Sequence, residues 1–179
     1  ATLFSGNSMA IRDLDTYLSA DPSPLRVIAN RGASGIDGNV STLLGLAAAS
    51  ERPVVGLMGD LAFYHDMNGL LAARGLDATL ILLNNDGGGI FGYLPQAELE
   101  RFESDWLTPT GLDFEQAARL YGLNFARVSR HGEFRAALEA ALVRPGVDLI
   151  EVIVDRASSL ARHRAYWAAV IAEIEREIC

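Results

Sequence analysis

Two short polar segments, each placed directly after an apolar run, contain the side chains best suited to bind a metal ion. Asp60 follows the apolar residues 54–58, and Asn85 follows the apolar residues 79–83. Buried parallel strands have this composition, and residues 64–75 between them have the length and composition of one crossover helix. A strand, helix, strand unit returns the chain in the same direction, so we expect Asp60 and Asn85 at the same carboxyl edge of one sheet.

This pair of oxygen ligands predicts a magnesium and diphosphate site. If the two strands are neighbours, their ends lie about 4.8 Å apart. Mg²⁺ takes oxygen ligands at roughly 2.0 to 2.1 Å in an octahedron and usually keeps phosphate and water among them. The Asp60 carboxylate, the Asn85 amide oxygen and one backbone carbonyl would therefore suffice. The alternative is that Asp60 only caps a helix and that residues 84–89, NNDGGG, form an ordinary turn.

Composition narrows the class of protein. The 179 residues, of which 50% are apolar and 21% charged, suffice for one compact domain with a buried core. No apolar run approaches the roughly 18 residues of a membrane span and no secretory leader is visible, so we expect a cytoplasmic protein. The net charge of −8 argues against a nucleic-acid partner. All 15 basic residues are arginine, which excludes a Walker-type lysine loop and a pyridoxal Schiff base.

Helical and extended patterns alternate along the chain. Helices are predicted for residues 8–19, 39–50, 64–75, 114–121 and 134–142 and from 158 onward, and strands for 26–30, 54–58, 79–83, 124–129 and 148–155. Residues 92–111 contain Pro95 and Pro109 and lack a clear period, which predicts an active-site loop or lid. The alternation indicates an α/β fold, a doubly wound, mainly parallel sheet with helices on both faces. We expect the apolar stripe of the last helix to pack on the sheet, with a partner chain as the alternative.

A second glycine-rich loop, residues 31–38, RGASGIDG, lies between the strand predicted at 26–30 and the helix predicted at 39–50. Backbone amides and a helix start can point toward an anion there, and glycines let a ligand approach the main chain closely. Taken alone, this pattern does not specify a ligand.

Together these motifs resemble the diphosphate-binding domain of thiamine-diphosphate enzymes. Within that superfamily they are similar to one family, the 2-succinyl-5-enolpyruvyl-6-hydroxy-3-cyclohexene-1-carboxylate synthases of menaquinone biosynthesis, here called the menaquinone-pathway synthases. The resemblance lies in residues 6–8 (GNS), 11–12 (IR), 30–37 (NRGASGID), 59–61 (GDL) and 84–91 (NNDGGGIF). It implies that residues 1–179 are a single diphosphate-binding domain from the carboxyl-terminal third of such an enzyme, without the pyrimidine-binding and central domains.

The resemblance also implies a set of site residues. Mg²⁺, or Mn²⁺, would be bound by Asp60, Asn85 and the carbonyl of Gly87. The residues implied to contact thiamine diphosphate are Ser34, Gly35, Ile36, Gly59, Asp60, Leu61, Ala62, Asn85, Gly87, Gly88 and Gly89. Ile36 would be the aliphatic wedge that holds the cofactor in its bent shape. The residues implied to contact substrate are Ser8, Arg12, Arg31, Ile90 and Phe91.

The implied reaction decarboxylates 2-oxoglutarate and adds the resulting carbanion to isochorismate, with release of CO2. Arg12 and Arg31 would supply positive potential for these dicarboxylates. The glutamate that activates the cofactor is expected on the pyrimidine-binding domain of a second subunit, so we expect a homo-oligomer and an isolated chain that folds without turning over. Two alternatives stay open: the same domain of an acetolactate synthase-like enzyme or 2-oxo-acid decarboxylase, and a non-catalytic binding module.

Overall fold

A single parallel sheet forms the centre of the protein. The structure, a computed structural model, describes residues 1–19, 25–30 and 35–178. Its strands are β1 (Thr2–Ser5), β2 (Arg26–Ala29), β3 (Val54–Gly59), β4 (Ala78–Asn84), β5 (Asn124–Val128) and β6 (Val147–Ile153). They lie in the order β2-β1-β3-β4-β6-β5, and all neighbouring pairs are parallel. The carboxyl ends of all these strands therefore meet at one edge of the sheet.

Helices follow the strands, as the alternating pattern predicts. They are α1 (Met9–Tyr17), α2 (Asn39–Ala48), α3 (Asp60–Asp66), α4 (Phe114–Tyr121), α5 (His131–Ala141) and α6 (Arg156–Ile178). A 3-10 segment, Met67–Ala73, continues α3 toward β4. The predicted loop at residues 92–111 contains short helical turns, of which the last is a π-helical turn at Glu103–Leu107.

Two hydrophobic clusters cover opposite faces of the sheet. Leu149 of β6 belongs to a cluster with residues of α2, α3 and α4, whereas its neighbour Ile150 packs with residues of α5. Successive side chains of a strand point to opposite faces, so α5 lies on the face opposite to α2, α3 and α4. The predicted doubly wound α/β fold with helices on both faces is confirmed, and the sheet is parallel throughout the described residues.

The structure differs from the sequence-based elements in β1 and in the crossover after β3. The four residues of β1 were not predicted; β2 is equally short, but the turn-favouring residues 21–24 before it separate it from α1 in the sequence. The crossover helix begins at Asp60 rather than near Tyr64 and changes to a 3-10 conformation after Asp66. Close packing of α2 is the physical reason. The Asp66 carboxylate accepts hydrogen bonds from the amide and hydroxyl of Ser41, and a Cβ on Gly69 would lie 2.4 Å from that hydroxyl oxygen.

The prediction that α6 packs on the sheet was wrong. No residue of α6 is buried, and Trp167 and Ile171 are 42% and 53% exposed. Its first half lies instead near the loop after β4, where His163 stacks edge-on against Tyr93 at 4.6 Å between ring centroids. The helical spacing of apolar residues in α6 predicts which side chains share a face of the helix. It does not predict which surface that face packs against. Among the described residues, no helix combines the length and apolarity needed to cross a bilayer.

Candidate functional site

Asp60 and the loop after β4 meet at the carboxyl edge of the sheet. The prediction that both segments lie at the carboxyl edge of one sheet is confirmed, and β3 and β4 are also adjacent, with Gly59 opposite Leu83. Asp60 starts α3 immediately after β3 and is only 2% exposed. One of its carboxylate oxygens accepts a 2.6 Å hydrogen bond from the backbone amide of Gly87. The two polar segments singled out in the sequence are thus in direct contact.

The buried carboxylate of Asp60 lies in an environment that disfavours its negative charge. Burial raises the pKa of Asp60 above its ordinary value, and the nearby charge of Asp86 adds to this. The amides of Gly87 and Leu61 oppose the shift by donating hydrogen bonds to the carboxylate, but burial prevails. A divalent cation beside Asp60 would remove this penalty, because it would compensate the charge directly.

The adjacent asparagines at the end of β4, Asn84 and Asn85, have different hydrogen-bonding environments. The Asn84 amide nitrogen donates to Glu151 at 2.6 Å, and its side-chain oxygen accepts the amide of Asp86 at 2.9 Å. The side-chain oxygen of Asn85 is buried and has no hydrogen-bond partner among the described residues. A buried oxygen without a donor is costly unless a ligand satisfies it. Of the pair, Asn85 is therefore the residue suited to bind a cation.

Glycines after Asn85 let the loop pass close to other groups. Gly87 has φ 132°, and a Cβ there would lie 2.3 Å from the carbonyl oxygen of Leu107. A Cβ on Gly89 would lie 2.2 Å from the side-chain amide nitrogen of Asn85. The Gly87 carbonyl accepts the Gly89 amide at 2.9 Å, and a carbonyl oxygen has a second lone pair that a cation could use.

A cavity of about 490 Å³ opens beside this loop. The predicted site residues that line it are Ser8, Ile36, Gly59, Asp60, Leu61, Ala62, Asn85, Gly87, Gly88, Gly89, Ile90 and Phe91. The wall is largely apolar, and Phe91 is fixed in it by an edge-to-face contact with Trp106 at 5.4 Å. Ile36 and Leu61 also line a second cavity, of about 480 Å³, next to Tyr64 and Met67. These two residues therefore lie between the two cavities.

Two predicted site residues within the described ranges, Arg12 and Gly35, do not line the larger cavity. Arg12 is exposed on α1, and its guanidinium donates a 2.7 Å hydrogen bond to the carbonyl of Ser8. Gly35 is exposed as well. Arg31 and Ser34 lie outside the described residues. The substrate and cofactor contacts assigned to these four residues stay predictions.

The structure adds cavity residues that the sequence reasoning missed. Arg156 lines the cavity at the start of α6, and its guanidinium donates to the carbonyl of Asp86 at 2.7 Å. Arg156 follows β6 closely, as Asp60 follows β3. The rule that ligands bind at the carboxyl ends of parallel strands could therefore have identified it from the sequence. Asp13 of α1 also lines the cavity, and burial raises the pKa of its carboxyl group while His163 opposes the shift.

This set of groups fits a magnesium ion with a diphosphate. A buried carboxylate, an unpartnered amide oxygen and a backbone carbonyl are hard oxygen ligands of the kind Mg²⁺ takes. The glycine loop leaves no room for side chains, so a ligand in the cavity could approach its main chain closely. No group of three or more histidine, cysteine or acidic side chains within the described ranges could hold a metal instead.

Comparison with known sequences identifies the family. The profile described as "thiamine pyrophosphate enzyme, C-terminal TPP binding domain" matches residues 10–152. The chain belongs to this family. A solved structure shares the fold: benzoylformate decarboxylase of Polynucleobacter necessarius superposes with a TM-score of 0.69 at 22% identity, over 87% of this chain and 30% of that one.

Among thiamine pyrophosphate enzymes, the curated relatives confirm the resemblance to the menaquinone-pathway synthases. The synthase of Bacillus pumilus is 51% identical over 99% of this chain and 31% of its own length. The synthase of Chloroflexus aurantiacus is 50% identical over 95% of this chain and 29% of its own. The chain thus spans about a third of the length of these relatives.

Proposed function

We propose that this chain is the diphosphate-binding domain of a thiamine-diphosphate- and Mg²⁺-dependent synthase. The proposed reaction decarboxylates 2-oxoglutarate and adds the resulting carbanion to isochorismate, with release of CO2. The observation that carries the proposal is the contact between the Asp60 carboxylate and the Asn85–Gly87 loop, where a buried Asn85 oxygen has no described partner. The names of the curated relatives support the choice of substrates.

In this proposal, Asp60, Asn85 and the carbonyl of Gly87 hold Mg²⁺, or Mn²⁺. Diphosphate oxygens and water would complete the set of oxygen ligands. The main chain of the glycine loop and of the start of α3, which both line the cavity, would lie close to the diphosphate. When bound, thiamine diphosphate supplies the electron sink that decarboxylation of a 2-oxo acid requires.

The chain's other residues shape the space in which the substrates react. Ile90, Phe91 and Leu160 line the cavity and exclude water from its apolar wall. Ile36, half-buried between the two cavities, is proposed to hold the cofactor in its bent form. Arg156 brings a positive charge to the cavity for a dicarboxylate, which Arg31 and Arg12 are proposed to supplement.

A partner domain completes the proposed enzyme. The activating glutamate is proposed to lie on a pyrimidine-binding domain of a second subunit in a cytoplasmic homo-oligomer, so the isolated chain should not turn over. Exposed apolar side chains beside the second cavity suit such a partner: Tyr64 is 48% exposed, and Leu71 on the following 3-10 segment is 83% exposed. Exposed apolar surface of this kind commonly marks an interface.

A chimaera tests the proposal. Replacing the matching carboxyl-terminal third of the Bacillus pumilus synthase with this chain supplies the domains that the chain lacks. With Mg²⁺ and thiamine diphosphate, the chimaera should convert 2-oxoglutarate and isochorismate to product, whereas the chimaera carrying Asp60→Ala should not. Pyruvate offered in place of 2-oxoglutarate tests the acetolactate synthase-like alternative. A folded chimaera that uses pyruvate but not 2-oxoglutarate would contradict the proposed substrates, and turnover by the isolated chain would contradict the need for a partner domain.

A further inference from the structure

Asp86 lies between the proposed metal ligands and binds several separate parts of the chain. Its backbone amide donates to the side-chain oxygen of Asn84 at 2.9 Å, and its carbonyl accepts the guanidinium of Arg156 at 2.7 Å. One oxygen of its carboxylate accepts the backbone amides of Thr110 and Gly111 at 2.9 and 2.8 Å. The amide, the carbonyl and the carboxylate of Asp86 thus each contact a different element.

These contacts hold a backbone conformation that side chains rarely adopt. Asp86 has φ 56°, in the left-handed region, where aspartate is tolerated better than most residues. Because Asp86 joins Asn85 to Gly87, its dihedral angles set the orientation of the Asn85 side chain relative to the Gly87 carbonyl. A change in the conformation of this turn would therefore change the relative positions of two proposed metal ligands, the Asn85 side chain and the Gly87 carbonyl.

The same turn is fastened to residues 107–111, at the end of the predicted lid. The amide of Gly88 donates to the carbonyl of Leu107 at 2.7 Å, and Leu107 is 4% exposed and lines the cavity. A Cβ on Gly87 would lie 2.3 Å from that same carbonyl, so the two segments are in close contact. Asp86 adds the contacts to Thr110 and Gly111 to this junction.

We propose that Asp86 is a positioning residue, which aligns Asn85 and Gly87 for the metal ion by clamping their loop to residues 107–111. The inference rests on the proposed function, because it takes Asn85 and Gly87 as ligands. Without the carboxylate, the amides of Thr110 and Gly111 lose their acceptor and the left-handed turn loses its attachment to the cavity wall. Metal affinity and the order of residues 107–111 should therefore fall together.

Two substitutions and a control separate this role from a general loss of stability. The amide oxygen introduced by Asp86→Asn can accept the same two backbone amides and tolerates the same φ, whereas Asp86→Ala provides no acceptor. Asp77 offers a matched control, because its carboxylate accepts the backbone amide of Gly146 at 2.7 Å. Asp77 and Gly146 precede β4 and β6, so Asp77→Ala removes a similar bond at the opposite edge of the sheet.

The first measurement is Mn²⁺ affinity in the presence of thiamine diphosphate, by electron paramagnetic resonance titration of the chain and of the chimaera. Asp86→Ala should weaken Mn²⁺ binding at least about 10-fold, the usual effect of removing a group that orients a ligand. Asp86→Asn should restore most of the affinity, and Asp77→Ala should leave it unchanged. Unaltered Mn²⁺ affinity in Asp86→Ala would overturn the proposal.

The second measurement is amide hydrogen exchange of the chain without metal or cofactor. Asp86→Ala should speed amide exchange at residues 107–111 and 87–89, and Asp86→Asn should not. Unchanged exchange in Asp86→Ala would also overturn the proposed role of Asp86.

The Mn²⁺ titrations distinguish a failure of the proposed function from a failure of the role assigned to Asp86. If neither the unsubstituted chain nor the unsubstituted chimaera binds Mn²⁺ and cofactor, the proposed function is wrong, and so is the role of Asp86 in metal binding. Normal binding by both the unsubstituted protein and Asp86→Ala contradicts only the role of Asp86.

Discussion

The backbone amide of Gly87 donates a 2.6 Å hydrogen bond to the buried carboxylate of Asp60, which lies 27 positions earlier in the chain. This contact joins the loop after β4 to the start of α3. Ligands held together by the protein's own hydrogen bonds lose little conformational freedom when they bind an ion. The remaining cost is electrostatic, because burial raises the pKa of Asp60 and a cation is needed to balance its charge.

Asp60→Asn should stabilise the metal-free chain and abolish its metal binding. The substitution removes a buried charge that Asp86 repels, while the introduced amide oxygen can still accept the Gly87 amide. We expect the free energy of unfolding at neutral pH to rise by about 1 kcal/mol, as is common when a functional group is neutralised. Urea denaturation with and without Mg²⁺ and thiamine diphosphate measures both effects. A loss of stability without metal would show that Asp60 serves the fold and not a cation.

Gly89→Ala should weaken metal binding by displacing the Asn85 side chain. The added methyl group would lie 2.2 Å from the Asn85 amide nitrogen, so the amide must rotate or move. The control is Gly132→Ala on α5, where a Cβ meets nothing within 4 Å and the helix should gain stability. Mn²⁺ titration should give a clear loss of affinity for Gly89→Ala and none for Gly132→Ala. Equal affinities would mean that the Asn85 oxygen is not a ligand.

Arg127→Ala should destabilise the fold by leaving the buried Glu151 carboxylate without its positively charged partner. Glu151 is 1% exposed and accepts the Arg127 guanidinium at 2.6 Å and the Asn84 amide at 2.6 Å. Removing one partner of a buried pair costs about 3 to 5 kcal/mol, and the 42% exposure of the Arg127 side chain reduces this to about 2 kcal/mol.

Glu151→Gln tests the origin of that loss. In the double variant, the neutral side chain no longer needs the guanidinium, so part of the lost stability should return. A double-mutant cycle measured by urea denaturation checks this. If the two losses simply add, the charge of Glu151 is not what Arg127 compensates.

Stability should fall in acid partly through Asp113. The hydrogen bond from Arg127, with help from Gln116, holds the pKa of Asp113 below its ordinary value. A carboxyl group with a lowered pKa in the folded state stabilises the fold above its unfolded pKa and loses that contribution as pH falls through the folded pKa. Asp113→Asn should therefore flatten the fall of the unfolding free energy below about pH 4.

The control for this pH dependence is Asp105→Asn, whose carboxylate lies in an exposed pair with Arg101. Urea denaturation between about pH 2 and pH 6 should show a smaller change for this variant. The Arg101–Asp105 pair joins residues four positions apart, whereas Arg127 joins Asp113 to the buried Glu151. Identical pH profiles for Asp113→Asn and the unsubstituted chain would contradict the role assigned to Asp113.

The sequence predicted which polar residues lie at the carboxyl edge of the sheet, because apolar composition marks the strands and the crossover between them sets their direction. Apolar runs before Asp60 and Asn85 indicated buried parallel strands, and a single crossover placed both strand ends at one edge of the sheet. The structure adds that these strands, β3 and β4, are neighbours. The partner of α6 could not be predicted in the same way. Its apolar period defines a face but not the surface opposite, and Trp167 is in fact exposed.

The finer organisation of the candidate site depends on contacts between distant segments. The adjacent asparagines Asn84 and Asn85 look alike in sequence, yet Asn84 is bound to Glu151, 67 positions away, and only tertiary structure shows this. Likewise, the hydrogen bond from the Thr110 amide to the Asp86 carboxylate spans 24 positions and crosses a segment that has no readable period. Such pairings leave no local signal in the sequence.

The most direct test of the proposed metal centre is a crystal structure of this chain, or of the chimaera, with Mn²⁺ and thiamine diphosphate. An anomalous difference peak should lie roughly 2.0 to 2.3 Å from an Asp60 carboxylate oxygen, the Asn85 side-chain oxygen and the Gly87 carbonyl, with diphosphate oxygens completing the shell. A cofactor bound with its cation elsewhere, or with Asn85 turned away from that cation, would contradict the assignment.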